Sequence, residues 1–365
     1  MNTAPRTKLA AWRALTLVGA LAVIWIVLFA ATRGTFASPR NLALLARQMS
    51  VTALLAVGMV LVIVTREIDL SVGAMAGLLG GVAAIAFEKA GWSLGLAFLG
   101  ALTLGALLGL AQGSLVAWLR VPSFIVTLGG MLLFQGALLG ATGGISISPG
   151  RPFLFIGQAY LPRKLGWAIA ALFTAGLLAA AARGSGTTRW KWLGLAVLPI
   201  LFTAVMNAYE GIPLPVLLVL LVASALWVVT RHTPFGRRLY AIGGNREAAL
   251  YSGVRIERHI AVVFSLMGLL CGAAGIVLTA RVGSATSDAG RLMELDAIAA
   301  AVIGGTSLLG GRGTVWGALL GALIMASLDN GMSLMNTEPF WQPILKGAIL
   351  VAAVAADIAS RRTDR

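Results

Sequence analysis

The sequence predicts an all-α membrane protein, and three observations lead to that fold class. The chain of 365 residues is 59% hydrophobic and only 11% charged, whereas a soluble domain carries about 25% charged residues. Several apolar runs reach the ~17–25 residues that a helix needs to cross the hydrocarbon core. Open sheets and lipid-exposed loops cannot satisfy their backbone groups in lipid, so these runs are expected to be transmembrane helices.

The apolar runs divide the chain into about twelve predicted spans, with both termini on the cytoplasmic side. In chain order, the spans cover residues 14–32, 49–65, 71–87, 94–118, 122–140, 165–182, 192–206, 214–230, 260–280, 292–309, 314–330 and 341–358. Lys and Arg on the predicted inner side outnumber those on the outer side by about two to one, as the positive-inside rule requires. Residues 1–365 are therefore interpreted as one transmembrane domain.

Several connections also have a predicted place. The first apolar run is long for a signal-peptide core and lacks a clear cleavage site, so it is expected to remain as an uncleaved span. Residues 33–48 are amphipathic and are predicted to lie along the outer interface, residues 141–164 form the longest outer loop, and residues 281–291 form a polar outer turn. Residues 165–206 form a transmembrane hairpin with a basic inner turn. Small residues at helical spacing are expected to let helices pack backbone to backbone.

The composition excludes several other classes of function. The net charge of +15 is scattered over loops without the interleaved aromatic residues that nucleic-acid binding uses. The single cysteine, Cys271, rules out a disulfide framework. His232 and His259 have no neighbouring ligand-type residues in the sequence, so neither a metal site nor a cofactor is predicted. The motifs GxSxG and HExxH are absent, so no catalytic residue is assigned.

The longest polar interruption, residues 231–259, contains a short predicted helix. Asn245 is a favourable N-cap, Glu247 places an acid in the first turn, and Gly253 supplies a stop after about two turns. A helix this short is marginal in water by itself. The residues alone leave two readings open, a solvated basic loop and a docking helix for a cytoplasmic partner.

Two groups of acids lie beside predicted spans, where charge is expensive. Glu67 and Asp69 precede the third span, which Asp69 or Ser71 is expected to cap unless these residues belong to a translocation pathway. Glu294 and Asp296 open the tenth span, which is followed by the glycine-rich IGGTSLLGGRGT. This stretch lacks the GxxxxGK[ST] pattern of a nucleotide loop and is predicted to form a broken or tightly turned helix pair.

A third polar site closes the eleventh span. Asp329 and Asn330 lie at its predicted outer end. An interfacial helix cap and a contact with an outer partner are both open readings.

Four stretches resemble the membrane permease subunits of ABC-type monosaccharide importers. They are EIDLSVG (67–73), VPSFIVTLGGM (121–131), GRRLYAIGGNREAALYSGV (236–254) and ELDAIAAAVIGGTSLLGG (294–311). Together they span most of the chain in the family's order, and the third and fourth are highly specific. The inserted hairpin on a ten-helix core, and MASLDNGMSLM with FWQPILKGAIL (325–350), resemble the D-xylose branch of that family. The one departure is Thr65–Arg66, where small uncharged residues are more usual.

The resemblance implies a homodimeric inner-membrane permease with no enzyme activity of its own, fed by a periplasmic sugar-binding protein and driven by a separate cytoplasmic ATPase. It favours docking over the solvated-loop reading and implies that residues 231–259 hold the ATPase. The implied docking residues are Gly236, Arg237, Gly243, Gly244, Asn245, Glu247, Ala248, Ala249 and Gly253. A valine at Gly244 or an arginine at Glu247 is then expected to abolish sugar-stimulated ATP hydrolysis.

The transported substrate is expected to be a monosaccharide, D-xylose by the resemblance. A path at the dimer interface is expected to be lined by small residues and a few hydroxyl or carboxylate groups. The candidate pathway residues are Glu67, Asp69, Ser71, Thr127, Glu294, Asp296 and Asn330. The alternative is a secondary transporter driven by a proton or sodium gradient, with Glu67 and Asp69 as its coupling acids.

Overall fold

The computed structural model describes the backbone of residues 4–184 and 186–362, and the side chains of residues 16–184, 186 and 189–355. Over these ranges the chain is helical throughout, with a 3-10 turn at Thr35–Ala37 and two isolated β-bridges. The helices are α1 (Ala4–Ala31), α2 (Pro39–Val64), α3 (Val72–Glu88), α4 (Leu94–Ala117), α5 (Ser123–Thr142), α6 (Arg151–Gln158), α7 (Arg163–Arg183), α8 (Thr187–Asn207), α9 (Leu214–His232), α10 (Pro234–Gly244), α11 (Arg246–Tyr251), α12 (Ile256–Val282), α13 (Met293–Ile303), α14 (Val315–Leu334) and α15 (Trp341–Arg362).

The all-helical fold is as the sequence predicts. Eight of the described helices are long and apolar enough to cross a membrane, namely α2, α4, α5, α7, α8, α9, α12 and α14. Shorter apolar stretches occur on α1, α3 and α15 at Thr16–Ala31, Val72–Glu88 and Trp341–Ala355.

The core is built around α2 and α12, which α3, α4, α13 and α14 surround. Residues 51–64 of α2 are buried without interruption. On α4, Gly105 and Gly109 lie against the backbone of α12 at Gly268 and Phe264, so closely that a Cβ would overlap a carbonyl oxygen. These contacts agree with the predicted backbone-to-backbone packing of helices at small residues.

The predicted hairpin corresponds to α7 and α8, which pack mainly against each other. Thr174 donates a hydrogen bond to the carbonyl of Ala196 across the pair, at 3.3 Å. The base of the hairpin is fixed by an antiparallel bridge, in which the Leu161 N–H donates to the carbonyl of Ile212 at 2.8 Å. The hairpin is thus attached to the core through its ends.

The predicted interfacial position of residues 33–48 is wrong for most of that segment. The Ser38 side chain accepts a hydrogen bond from the Asn41 N–H, and Pro39 occupies the first helical position, so α2 begins at Pro39. Asn41, Ala43 and Leu45 are buried. The polar residues that suggested an interface form the first turns of a core helix. The outer loop at 141–164 likewise contains a short helix, α6.

The tenth predicted span, 292–309, is also wrong in its length, and the turn before it packs against α3. The helix found there, α13, has 11 residues and ends at Ile303. Gly290 packs against the backbone of Gly73, and Ala289 against Gly77, so residues 283–292 fold back into the bundle along α3. Glycine makes this entry possible because a Cβ at Gly73 or Gly290 would overlap the opposing backbone.

Candidate functional site: the polar loop and the buried acids beside it

The polar loop folds into two helices, of which the sequence predicted only the second. In α10, the Thr233 hydroxyl accepts a hydrogen bond from the Gly236 N–H at 3.2 Å, and Pro234 starts the helix. Leu239 and Ile242 are buried at helical spacing. That i, i+3 pair was the available signal for α10, and the surrounding glycines and arginines obscured it.

The predicted helix is α11, and its boundaries are confirmed. The Asn245 side chain accepts a hydrogen bond from the Ala248 N–H at 3.0 Å, and Glu247 lies in the first turn. Gly253 adopts the left-handed conformation, with φ of 77°, and ends the segment. Ala249 is buried and seats the helix on the core.

The side of the polar loop that faces away from the core exposes apolar and basic side chains together. Leu250 is 55% and Tyr251 is 88% exposed, and Arg237 and Arg238 are exposed on α10. Large exposed apolar side chains rimmed by charge are typical of protein-protein contact surfaces, where tyrosine and arginine carry much of the binding energy.

A junction of glycines fixes α10 to the core. A Cβ at Gly243 would overlap the Val64 carbonyl at the end of α2, and Gly310 and Gly311, both at positive φ, pack against Gly243 and Gly244. The Gly311 N–H donates to the Val64 carbonyl at 2.9 Å. A Cβ at Gly244 would contact nothing within 4 Å. The tight steric contact of this junction is therefore at Gly243 and not at Gly244.

A tyrosine adds a second fixing point for α10. The Tyr240 hydroxyl donates to the Gly313 carbonyl at 2.8 Å. Desolvation by burial raises the pKa of Tyr240 above its ordinary value, so the phenol stays protonated as a donor.

The segment between α2 and α3, residues 65–71, is called here the elbow, and it holds both helices of the polar loop. Arg66 adopts φ of 69°. Its guanidinium donates from Nε to the Gly243 carbonyl at 2.7 Å and from Nη2 to the Gly244 carbonyl at 2.9 Å. A cation thus satisfies the last carbonyls of α10, where the helix dipole is negative. Arg66, the departure from the family pattern, ties the elbow to α10.

The next residue of the elbow contacts α11. Glu67 is buried, with its side chain 10% exposed, and its Oε1 lies 3.3 Å from Nη1 of Arg246. Together, Arg66 and Glu67 connect the elbow to the end of α10 and the start of α11.

The elbow continues into a buried polar cluster. Oδ1 of Asp69 accepts from the Ser71 N–H at 2.8 Å and from the Ser71 hydroxyl at 2.6 Å. The Ser71 hydroxyl lies 3.2 Å from Oε1 of Gln112 on α4. Neither Asp69 nor Ser71 makes a side-chain hydrogen bond that caps α3, so the predicted capping role is wrong. The Asp69 carboxylate instead accepts hydrogen bonds within the elbow.

Thr127 joins the same region from α5. Its hydroxyl donates to the Ser123 carbonyl at 2.9 Å and approaches the Ile68 carbonyl at 3.4 Å. The Ile68 N–H donates to the Ser123 hydroxyl at 3.2 Å. The structure therefore brings Glu67, Asp69, Ser71 and Thr127 together around the elbow.

The remaining predicted pathway residues lie elsewhere. Glu294 packs against Gly73 at the start of α3. Asp296 is paired with Lys346 of α15 at 2.8 Å. Asn330 is buried and exchanges two amide hydrogen bonds with Asn41, at 2.8 and 3.0 Å.

The readings of the eleventh span's end need correction in the same way. Asp329 contacts Lys346 at 3.0 Å, and Asn330 pairs with Asn41, so both are engaged within the chain and not as an interfacial cap. Sequence reasoning missed Lys346 because its partners are distant in the chain.

A cavity of about 570 Å³ opens between the elbow, α11 and the α4–α5 turn. Charged residues on its wall are Glu67, Arg120, Arg246, Glu247 and Glu257. In the described residues, no cluster of His, Cys, Asp and Glu has metal-binding geometry. The cavity is a charged recess beside an exposed helix and suits a protein contact.

Comparisons with known proteins identify related sequences. A family model described as "Branched-chain amino acid transport system / permease component" matches residues 41–354. The Xylose transport system permease protein XylH of Escherichia coli (strain K12) is 49% identical over 93% of this chain and 91% of its own. XylH of Haemophilus influenzae is 43% identical over 94% of this chain and 95% of its own, and the Ribose import permease protein RbsC of Escherichia coli (strain K12) is 37% identical over 92% and 91%. No solved structure matches the chain.

Proposed function

The chain belongs to the branched-chain amino acid transport system / permease component family, and on that premise we propose that it is the membrane permease subunit of an ATP-driven ABC importer for D-xylose. It is a transporter subunit and not an enzyme, and it is a multi-pass protein of the bacterial inner membrane. The assignment of xylose as the substrate rests on one observation: the chain is more similar to permeases named for xylose than to those named for ribose.

The proposed topology has twelve crossings with both termini in the cytoplasm. The eight long helices supply eight crossings, and α1, α3 and α15 supply three more. At about 1.5 Å per residue, α13 is too short to cross the hydrocarbon core alone, so it completes one crossing together with residues 283–292. The basic polar loop then faces the cytoplasm, as the positive-inside rule requires.

The proposed partner of the polar loop is the cytoplasmic ATPase. The docking residues are Gly236, Arg237, Gly243, Gly244, Asn245, Glu247, Ala248, Ala249 and Gly253. The exposed Leu250 and Tyr251 and the adjacent charged cavity support this assignment. Within the set, Gly236, Gly243 and Ala249 position the two helices, whereas Arg237 and Glu247 face outward.

The proposed transmission of force runs through the elbow. Closure of the ATPase pair pushes α10 and α11 as one body, and Arg66 and Glu67 pass the displacement to Asp69 and Ser71 at the start of α3. Packed elements of this kind switch between discrete arrangements because they are not continuously deformable.

The remaining proposals concern the sugar and the other subunits. A periplasmic binding protein delivers the sugar to a homodimer of this chain, and no cofactor is needed in the chain itself. Xylose is neutral and heavily hydroxylated, so its barrier is the loss of hydrogen bonds to water without replacement. The residues proposed to line the pathway are Glu67, Asp69, Ser71, Thr127, Glu294, Asp296 and Asn330, whose hydroxyl, amide and carboxylate groups supply such hydrogen bonds.

The test uses proteoliposomes that contain the chain with its ATPase and a xylose-binding protein. Labelled xylose is expected to accumulate only with ATP, and labelled ribose is expected not to. If the complex instead takes up whichever sugar the supplied binding protein carries, the importer assignment stands and xylose specificity of the permease is refuted. Accumulation without ATP that a protonophore abolishes would refute the importer and support the gradient-driven alternative.

A further inference from the structure

A second polar cavity lies inside the bundle, away from the polar loop. It has a volume of about 230 Å³ and lies between α2, α12, α13, α14 and α15. Gln48 and Thr52 contribute one wall from α2, and Arg281, Asp296, Asp329 and Lys346 contribute the others. Gly290, which packs against α3, and its exposed neighbours Asp288 and Arg291 border one side of the cavity.

Three charged side chains form a connected group at this cavity. Nζ of Lys346 lies 2.8 Å from Oδ2 of Asp296 and 3.0 Å from Oδ2 of Asp329. The side chain of Asp296 is 7% exposed, that of Lys346 is 15% and that of Asp329 is 17%. The lysine therefore neutralises one of two buried carboxylates, and each carboxylate uses only one oxygen for it.

Three residues that line the cavity each have a buried side-chain atom without a hydrogen-bond partner among the described residues. Oδ1 of Asp296, Oδ1 of Asp329 and Nε of Arg281 are buried, and none of them has a hydrogen-bond partner within the described ranges. More than nine-tenths of buried polar groups in proteins have a partner, so three exceptions around one cavity require an explanation. The three residues that carry these atoms, two acceptors and one donor, all line the same cavity.

The chemistry of the wall matches a polyhydroxyl compound better than an ion. Asp288, Asp296 and Asp329 supply three negative charges, and Arg281, Arg291 and Lys346 supply three positive ones, so the cavity has no net charge to attract an ion. Unpaired carboxylate oxygens accept from hydroxyls, and the guanidinium donates to a hydroxyl or ring oxygen. At ~30 Å³ per water, the volume holds on the order of eight waters, enough space for one pentose.

We propose that this cavity is a transient sugar-binding site within a single permease subunit, in which Asp296, Asp329 and Arg281 exchange hydrogen bonds with the sugar hydroxyls while Lys346 holds both carboxylates in place. The inference rests on the proposed function, and it adds a site between the binding protein and the cytoplasm. The Gln48 amide and the Thr52 hydroxyl complete the polar wall.

The test is protection of an introduced cysteine. The only native cysteine, Cys271, is fully buried, so Gln48→Cys introduces one half-buried thiol at the cavity wall. Labelling of Gln48→Cys by a small methanethiosulfonate reagent is expected to slow several-fold in high concentrations of D-xylose. The control Ala90→Cys, at an exposed position outside the cavity, is expected to label equally fast with and without xylose.

A second pair of variants tests the same cavity by measuring the rate of xylose uptake. Thr52→Val removes a cavity hydroxyl without changing charge, whereas the control Ser50→Ala removes a hydroxyl that bonds to Ala46 on the same helix, outside the cavity. In the assembled importer, Thr52→Val is expected to lower ATP-dependent xylose uptake several-fold, and Ser50→Ala is expected to retain the wild-type rate.

The outcomes separate this inference from the proposed function. Loss of ATP-dependent uptake in the wild-type complex would overturn the importer. If wild-type uptake is normal, xylose does not protect Gln48→Cys and Thr52→Val transports at the wild-type rate, the sugar-binding role of the cavity is refuted and the importer stands. The cavity would then be a water-filled structural ion cluster.

Discussion

The contact between Gly243 and the end of α2 gives the sharpest test of the proposed coupling. Gly243→Ala adds a Cβ that would overlap the Val64 carbonyl and lie 2.6 Å from the Gly311 nitrogen. Both neighbours are backbone atoms in a buried junction, so no flexible side chain can move aside. Either α10 shifts or the Val64–Gly311 hydrogen bond breaks.

The magnitude follows from the contacts at risk. Overpacking a tight site costs about 1–3 kcal/mol, and each hydrogen bond lost adds roughly 0.5–1.5 kcal/mol. A loss of about 2–4 kcal/mol changes the ratio of seated to displaced α10 by roughly 30- to 700-fold. The displaced loop holds the ATPase at the wrong distance from the elbow, so uptake is expected to fall by about tenfold or more.

Gly244→Ala is the matched control. It makes the same chemical change one residue later, where the Cβ meets open space, and alanine is about 1 kcal/mol better than glycine in a helix. Its folding and the seating of its α10 are expected to equal or exceed those of the wild type, so any loss of transport would come from the proposed docking surface alone.

The assay measures ATP hydrolysis stimulated by the xylose-loaded binding protein in proteoliposomes, with the amount of inserted permease determined for each variant. Stimulated hydrolysis is expected to fall much further for Gly243→Ala than for Gly244→Ala. Equal stimulation in both variants, at equal insertion, would refute the seating argument.

Three further predictions follow from other contacts. Arg66→Met removes two hydrogen bonds from a cation, each worth about 1.5–3 kcal/mol, so stimulated hydrolysis should fall several-fold. The control Arg183→Met, at an exposed position on the hairpin, should stay normal, and equal effects would contradict a specific clamp. Asn330→Leu leaves the Asn41 amide without its partner and should lower stability by about 1–3 kcal/mol. This loss should appear as a lower Tm in detergent, and an unchanged Tm would show that the pair contributes nothing to stability. Tyr251→Ala alters a side chain that is 88% exposed, so the free energy of unfolding should stay within about 0.5 kcal/mol of the wild type. Its affinity for the ATPase should fall about tenfold, and an unchanged affinity would remove Tyr251 from the interface.

Local signals in the sequence were sufficient for α11. Its N-cap Asn245 bonds three residues ahead and its stop Gly253 depends on its own φ angle, so both are visible in a short window. For α10 the Leu239–Ile242 pair is a local signal of a helix, but the contacts that seat the helix come from Val64 and residues 310–311, far away in the chain. No window around residues 234–244 contains that information.

The same distinction explains the errors in the membrane region. Hydropathy found the long helices because apolar length is a property of one segment. It misplaced residues 283–292, since their position depends on glycine contacts with α3. It gave no role to Lys346, because the two aspartates that hold it lie 50 and 17 residues earlier. Pairings across the bundle are set by packing, which a single segment does not encode.

Among the connections between the polar loop and the bundle, one covalent route and one non-covalent route differ most clearly in stiffness, which decides how well each transmits a displacement. The covalent route runs from α11 through Gly253 to α12, and Gly253 is exposed at positive φ with no atom near the position of a Cβ. A joint of that kind rotates instead of pushing. The second route runs from α10 through Arg66, which bonds two carbonyls at 2.7 and 2.9 Å, into an elbow whose Asp69 and Ser71 are fully enclosed. Close-packed contacts transmit strain, so movement of the docking helices reaches α3 through the non-covalent route, and the first change within the membrane is expected at the start of α3, beside Glu294.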